Sequence, residues 1–232
     1  FVIDQGPGLP KWRPANYTKK FYGPSTMRLG IEKSKNLMTV RLAQTIGMDR
    51  IAETANNFGI TGNLPRTLAA SLGATETTLM KITNAYAMLV NGGKKIKPTF
   101  IDRIQNRHGL TVFKHDQRPC GGCKVESWRN NLVPHLPDVR KQITDAVSAY
   151  QVVSMLEGAV ERGTGKKVKS VGKPLAGKTG TTNQERDTWF IGFSPDLAVG
   201  VYVGFDNPRS LGKYETGSKT ALPIFKSFIS DS

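Results

Sequence analysis

Residues 172–205 read GKPLAGKTGTTNQERDTWFIGFSPDLAVGVYVGF, and three runs inside this stretch decide the fold. Pro174 to Thr182, Thr188 to Phe193 and Leu197 to Phe205 are rich in β-branched and aromatic residues and separated by polar ones, so they predict three strands. Ser194-Pro195-Asp196 joins the last two as a hairpin. Downstream, Leu222, Phe225, Phe228 and Ile229 share one face of a closing helix that can cover the sheet.

Upstream the period becomes helical. Pro24 suits the first turn of a helix carrying Met27, Leu29 and Ile31. Asn36 suits the N-cap of the next, whose Leu37, Val40, Leu42, Ala43 and Ile46 precede a stop at Gly47. Ser34 and Asn36 therefore fall in a joint between two helices. Asp49 caps a third helix, with Ile51, Ala55 and Phe58 on one stripe, and Thr78 caps a fourth that runs to Gly92-Gly93. Asp145 starts a long helix through Tyr150, Val153, Leu156 and Val160 that runs out at Gly163-Thr164-Gly165. Thr99 to His115 reads as two strands around Asn106 to Gly109. Residues 116–142 are irregular and hold both cysteines, in an insertion bounded at 105–143. Residues 1–24 read as an extended, packed loop. Helices before and after a mostly antiparallel sheet predict an α/β fold in one domain over residues 1–232.

The chain is long enough, at 232 residues, to bury a core without staples. Its 33 Lys+Arg against 18 Asp+Glu leave a net charge of +15, which suits a polyanionic neighbour: nucleic acid, an anionic membrane or a bacterial wall. The basic clusters, Lys94-Lys95-Lys97 and Lys166-Lys167-Lys169-Lys173, carry no recognition motif and no stacking aromatic pair, which argues against nucleic acid. No segment offers the ~18 uninterrupted apolar residues of a membrane helix. The stretch nearest to it, Trp189 to Phe205, is broken by Pro195 and Asp196.

Residues 172–179, GKPLAGKT, satisfy the phosphate-loop pattern G-x-x-x-x-G-K-[ST] by letter. That chemistry needs a buried strand before the loop and a helix after it. The basic KKVKSV stands before and a strand pattern stands after, so both flanks argue against a nucleotide site. The same residues fit a second pattern. Lys178-Thr179-Gly180-Thr181-Thr182 on a strand resembles the K-T-G motif of penicillin-recognising serine acyltransferases. Lysine supplies positive potential, the hydroxyls of Thr179 and Thr181 can bind a carboxylate, and glycine lets a substrate backbone approach the edge.

The partner motif of K-T-G is S-x-N, and Ser34-Lys35-Asn36 occupies the joint where it belongs. Residues 21–48 and 154–207 resemble class A penicillin-binding proteins in order and spacing, as do DQGPGLPKWRPANY and ALPIFKSF, so the resemblance covers nearly the whole chain. It implies a β-lactamase/transpeptidase-like fold and a D,D-transpeptidase that cross-links peptidoglycan stem peptides through an acyl-serine and binds β-lactam antibiotics. It implies no cofactor and no metal. By position, Ser34 would relay a proton, Asn36 would hold the substrate amide and Lys178 would tune the proton network. Thr179 and Thr181 would grip the carboxylate beside Gly180 and Thr182, and the Thr181 N–H would supply half of the oxyanion hole. The resemblance also implies a membrane anchor upstream and a place on the periplasmic face of the inner membrane.

One motif departs from the pattern. The family carries its nucleophile in S-x-x-K on a helix upstream of S-x-N, and nothing before Ser34 matches, because Ser25-Thr26-Met27-Arg28 lacks the lysine. Ser170 to Lys173 and Ser210 to Lys213 match by letter, but both follow S-x-N and neither begins an apolar helix. The expectation is a transpeptidase domain truncated at its N-terminus, inactive alone, with a non-catalytic muropeptide- or β-lactam-binding relative as the alternative. Cys120 and Cys123 read as a local disulfide or two free thiols, with a zinc site alongside His108 and His115 as the less favoured reading.

Overall fold

The computed structural model describes residues 2–3, 8, 11–18, 22–123, 126–127, 129–130 and 132–231. The three strands predicted from 172–205 form one antiparallel sheet in the order β3 (Ala176–Thr181), β4 (Asp187–Phe193), β5 (Ala198–Gly204). In its register Lys178 faces Ile191, Gly180 faces Trp189 and Thr181 faces Thr188. Side chains alternate across a strand, so Ala176, Lys178, Ile191 and Phe193 point to one face while Leu175, Thr179, Thr188 and Phe190 point to the other.

Each face is closed by helices. On one side α6 (Ala221–Asp231) lays Leu222, Phe225 and Ile229 onto Leu175 and Phe190, together with Val160 and Val168. The Phe190 and Phe225 rings lie 4.8 Å apart at 57°, and truncating either buried ring to alanine costs about 3–5 kcal/mol. Phe228, read as part of that apolar face, stands at the edge of the stripe and is 53% exposed. On the other side α4 (Leu79–Val90) and α5 (Ala146–Glu161) pack Tyr86, Leu89, Val152, Val153 and Leu156 around Ala176 and Phe193. Two smaller apolar clusters tie α2 (Asn36–Ile46) to α3 (Met48–Asn57), and Phe58 to α4.

Thr78 and Asp145 cap α4 and α5 as the sequence predicts, accepting from the N–H groups of Lys81 and Ser148. Three other helix starts differ. The cap of α1 (Met27–Glu32) is Thr26, whose hydroxyl accepts from the Leu29 N–H, so Pro24 lies before the helix. Lys35, in extended conformation, precedes α2 and makes Asn36 its first helical residue. Gly47 at φ 88 ends α2 and begins α3 at once, which places Asp49 inside the first turn rather than at the cap.

The stretch KKVKSV before the phosphate-loop letters is a 3₁₀ turn, Lys166–Val171, and Lys178-Thr179 lies within β3 with no helix after it. The nucleotide reading fails on both flanks. β1 (Arg103–Gln105) and β2 (Thr111–Lys114) form a separate hairpin whose residues are all exposed, and the described part of 116–141 has neither helix nor strand. Cys120 and Cys123 are joined in a disulfide, so neither thiolate is available to a metal. Of the N-terminal loop, the described residues hold an antiparallel bridge between Ile3 and Trp12, and the rest of residues 1–24 lies partly outside the described set. Among the described residues no helix is long and apolar enough to cross a membrane.

Candidate active site

The joint between α1 and α2 is built by backbone geometry. The Lys35 N–H donates to Gly30 O at 2.8 Å and the Ser34 N–H to Ile31 O at 3.1 Å, the paired bonds of a Schellman helix end. That end needs a left-handed residue, usually glycine, and here it is Ser34 at φ 51. A serine in this conformation carries a backbone strain of order 1 kcal/mol or more, and such strain gathers where a side chain has a task.

Opposite it stands Lys178 on the edge strand β3. Its ammonium donates to Ser34 Oγ at 2.8 Å and to Thr179 O at 2.9 Å. The side chain is only partly open to solvent, and burial pushes its pKa down from 10.5 to about 8. An amine poised there can give or take a proton near neutral pH, and a hydroxyl at hydrogen-bond distance can carry that proton onward. The structure thus joins, across 144 positions of sequence, the two residues expected to share a proton network.

The remaining candidates divide. Thr179 Oγ1 donates to Thr164 Oγ1 at 2.9 Å. Thr181 Oγ1 accepts from the Gly217 N–H at 3.1 Å, which leaves its own proton for a ligand. Gly180 lies between them, opposite Trp189. Thr182 belongs to the turn instead, its Oγ1 accepting from the Asp187 N–H at 2.8 Å. Asn36 donates its side-chain amide to Ala15 O at 3.0 Å, fastening the N-terminal loop rather than meeting Lys178.

Behind the joint lies a buried carboxylate that sequence reading missed. Glu32 is 3% exposed and sits between the guanidinium groups of Arg162, which donates to both its oxygens, and Arg28 at 3.8 Å. The Glu32 carbonyl in turn accepts from the Thr164 N–H at 3.1 Å. α5 and the turn after it come this close because they carry glycines: a Cβ on Gly158 within α5 would lie 2.1 Å from Glu32 Oε1, and one on Gly163 just past its end would lie 2.3 Å from Glu32 O. The available signal was Gly163-Thr164-Gly165, a hydroxyl between two glycines, where a helix stop alone needs one.

The two later S-x-x-K strings form no serine–lysine contact. Ser170 Oγ donates to Lys167 O and Lys173 Nζ to Ile229 O. Ser210 Oγ accepts from the Gly212 N–H, while Lys213 Nζ lies over the Tyr214 ring at 5.2 Å. A cavity of about 350 Å³ beside the joint is lined by Asn16, Tyr22, Lys35, Leu37 and Met38 and includes neither Ser34 nor Lys178. Among the described residues no three His, Cys, Asp or Glu side chains gather as a metal site.

Residues 2–230 match the family described as penicillin binding protein transpeptidase domain. Penicillin-binding protein 1A of Rickettsia bellii is 48% identical over 99% of this chain, and that of Pseudomonas aeruginosa is 33% identical over 92%. The chain spans about 29–30% of the length of these curated relatives. The crystal structure of penicillin-binding protein 1A from Haemophilus influenzae superposes with a TM-score of 0.83 at 29% identity, covering 100% of this chain and 37% of that one. Penicillin-binding protein A from M. tuberculosis, solved as an imipenem acyl-enzyme complex, shares the fold with a TM-score of 0.69 at 19% identity, covering 98% of this chain and 52% of that one.

Proposed function

The chain belongs to the penicillin binding protein transpeptidase family, and from that premise we propose that it forms the S-x-N and K-T-G walls of a D,D-transpeptidase cleft. The observation that carries the reading is the 2.8 Å hydrogen bond from Lys178 Nζ to Ser34 Oγ. In this reaction a serine hydroxyl attacks the carbonyl between the last two D-alanines of a stem peptide. The C–N bond breaks, and the departing amine takes up the proton the serine lost. Ser34, held against an amine with a pKa of about 8, is placed to pass that proton on. An amine from a second peptide then attacks the acyl-serine and completes the cross-link, whereas a β-lactam leaves the serine acylated.

The other roles follow from position. The Thr181 N–H supplies one oxyanion donor, and the Thr181 hydroxyl, its proton free, offers a donor to a substrate carboxylate, whereas Thr179, expected to do the same, has given its proton to Thr164 and can only accept. Asn36 reaches a substrate amide by releasing Ala15 O, a local exchange of one hydrogen bond for another. We infer that the serine nucleophile and its lysine lie outside these 232 residues, a reading supported by the two later S-x-x-K strings, neither of which forms a serine–lysine contact. The complete protein is anchored in the inner membrane and works on its periplasmic face, where stem peptides and β-lactams are met.

Labelling with a fluorescent penicillin tests the reading. The complete protein takes up one covalent label, displaced by unlabelled penicillin, and the 232-residue chain alone takes none. A complete protein that binds penicillin only reversibly points to a non-catalytic relative, and stoichiometric labelling of a serine within the 232 residues overturns the placement of the nucleophile.

A further inference from the structure

Three bonds form a closed circuit around the Ser34–Lys178 contact. Lys178 Nζ reaches Ser34 Oγ at 2.8 Å, the adjacent Thr179 Oγ1 reaches Thr164 Oγ1 at 2.9 Å, and the Thr164 N–H reaches Glu32 O at 3.1 Å, two residues before Ser34. Thr164 is the one member that touches both motifs' supports, the strand with its hydroxyl and the helix end with its backbone. We propose that Thr164 is a positioning residue of the acyl-transfer site, which sets the distance between Ser34 and Lys178 by pinning the β3 edge to the end of α1.

The surroundings make that pin effective. The α1 side is fixed, because Glu32 is buried under Arg162 and Arg28, Arg28 also donates to the carbonyl and hydroxyl of Ser154, and Lys33 Nζ donates to Arg162 O. The α5 side is fixed by the Gly165 N–H donating to Ala159 O. β3, by contrast, is an edge strand, hydrogen-bonded to β4 on one side only. Near the site it is held further by the Thr179–Thr164 bond, by Lys178 itself and, at its end, by the Gly217 N–H on Thr181 Oγ1. Proton transfer falls steeply with misplacement, and a shift of 1 Å can cost about 100-fold in rate. A hydroxyl that holds the strand at the working separation therefore acts on the chemical step while touching no reacting atom.

The role rests on the acyl-transfer reading above, and its test has one arm independent of that reading. Thr164→Val removes the hydroxyl, keeps the shape and leaves the N–H bond to Glu32 intact; Thr164→Ser keeps the hydroxyl. In the complete protein, stopped-flow acylation by benzylpenicillin is expected to show the acylation rate constant reduced about tenfold or more in Thr164→Val. The dissociation constant of the preceding reversible complex stays unchanged, and Thr164→Ser acylates within about twofold of the parent. Crystal structures of the same proteins are expected to show the Ser34–Lys178 separation beyond hydrogen-bond distance in Thr164→Val and kept in Thr164→Ser. An unchanged separation in Thr164→Val, a parental acylation rate, or equal loss in both variants overturns the positioning role. A parent protein that takes no acyl group overturns the acyl-transfer reading and the catalytic part of this role with it, while the crystallographic arm still reports whether Thr164 sets the spacing.

Discussion

Burial pushes the Lys178 amine down to about 8 from the 10.5 of an unfolded lysine, with desolvation as the cause. The folded protein therefore releases this proton at lower pH than the unfolded chain does. Below about pH 8 the enclosed ammonium costs stability, and the cost is relieved as pH rises through the window from 8 to 10.5. Its size is at most about 3 kcal/mol, and less to the extent that solvent reaches the side chain. Lys178→Met is expected to raise the unfolding midpoint at pH 7 and to lose most of that gain at pH 10. Thermal melts at the two pH values check it, and an equal gain at both would remove the link to the lysine's charge. Under the proposed function the same substitution would end the proton relay, so stability and chemistry would pull this residue in opposite directions. On the same proposal Ser34 would be under a similar tension, since the left-handed helix end it occupies favours glycine and the proposed relay asks for a hydroxyl.

At the scale of elements, the meeting of α1 with α5 decides whether the joint is in place. Gly163→Ala would set a methyl group 2.3 Å from Glu32 O and 2.7 Å from Ala159 Cα, both backbone atoms that cannot turn aside. The expected loss is about 1–3 kcal/mol, the usual range for overpacking. Gly62→Ala, where no atom lies within 4 Å, should change stability by less than about 1 kcal/mol in either direction. Urea titrations of the two variants decide the matter: equal midpoints would mean that the α1–α5 approach yields freely.

This meeting also marks the limit of what the sequence made legible. The three strands, α4, α5 and the disposition of Ser34 against Lys178 could be read from period and motif, because each depends on residues close in sequence or on a two-part pattern. Glu32 and Arg162 could not, since a lone acid at a helix end and a lone base 130 positions later have no local signature. Asn36 and Asp49 were misplaced by one or two positions at helix starts for a physical reason. Gly47 and Lys35 provide the backbone conformation a cap requires without any side-chain hydrogen bond, and only the side-chain bond has a recognisable letter.

For the whole molecule, the net charge of +15 is a long-range field rather than a set of contacts. Some of the basic groups are already engaged: Lys169 pairs with Glu161 at 2.6 Å, and Lys173 donates to Ile229 O. Lys166 and Lys167 are exposed on the 3₁₀ turn that leads into β3, close in sequence to the K-T-G strand. Acylation of the complete protein by an anionic penicillin should accordingly slow severalfold as salt rises from low to about 0.3 M, where screening shortens the field's reach to under 10 Å. Stopped-flow rates at a series of salt concentrations, with a neutral β-lactam ester as control, check this; a rate indifferent to salt would show that the charge serves something other than substrate approach.

The hairpin of β1 and β2 stands outside both helical layers, exposed along every residue of its two strands. Its tip, Asn106 to Gly109, is a polar turn closed by the Gly109 N–H donating to Asn106 O at 3.0 Å, and it shares no bond with Ser34, Lys178 or Thr164. For the experimenter this is an attachment point: a fluorophore or an affinity peptide spliced in there would ride on the domain and leave the cleft and its proton circuit undisturbed.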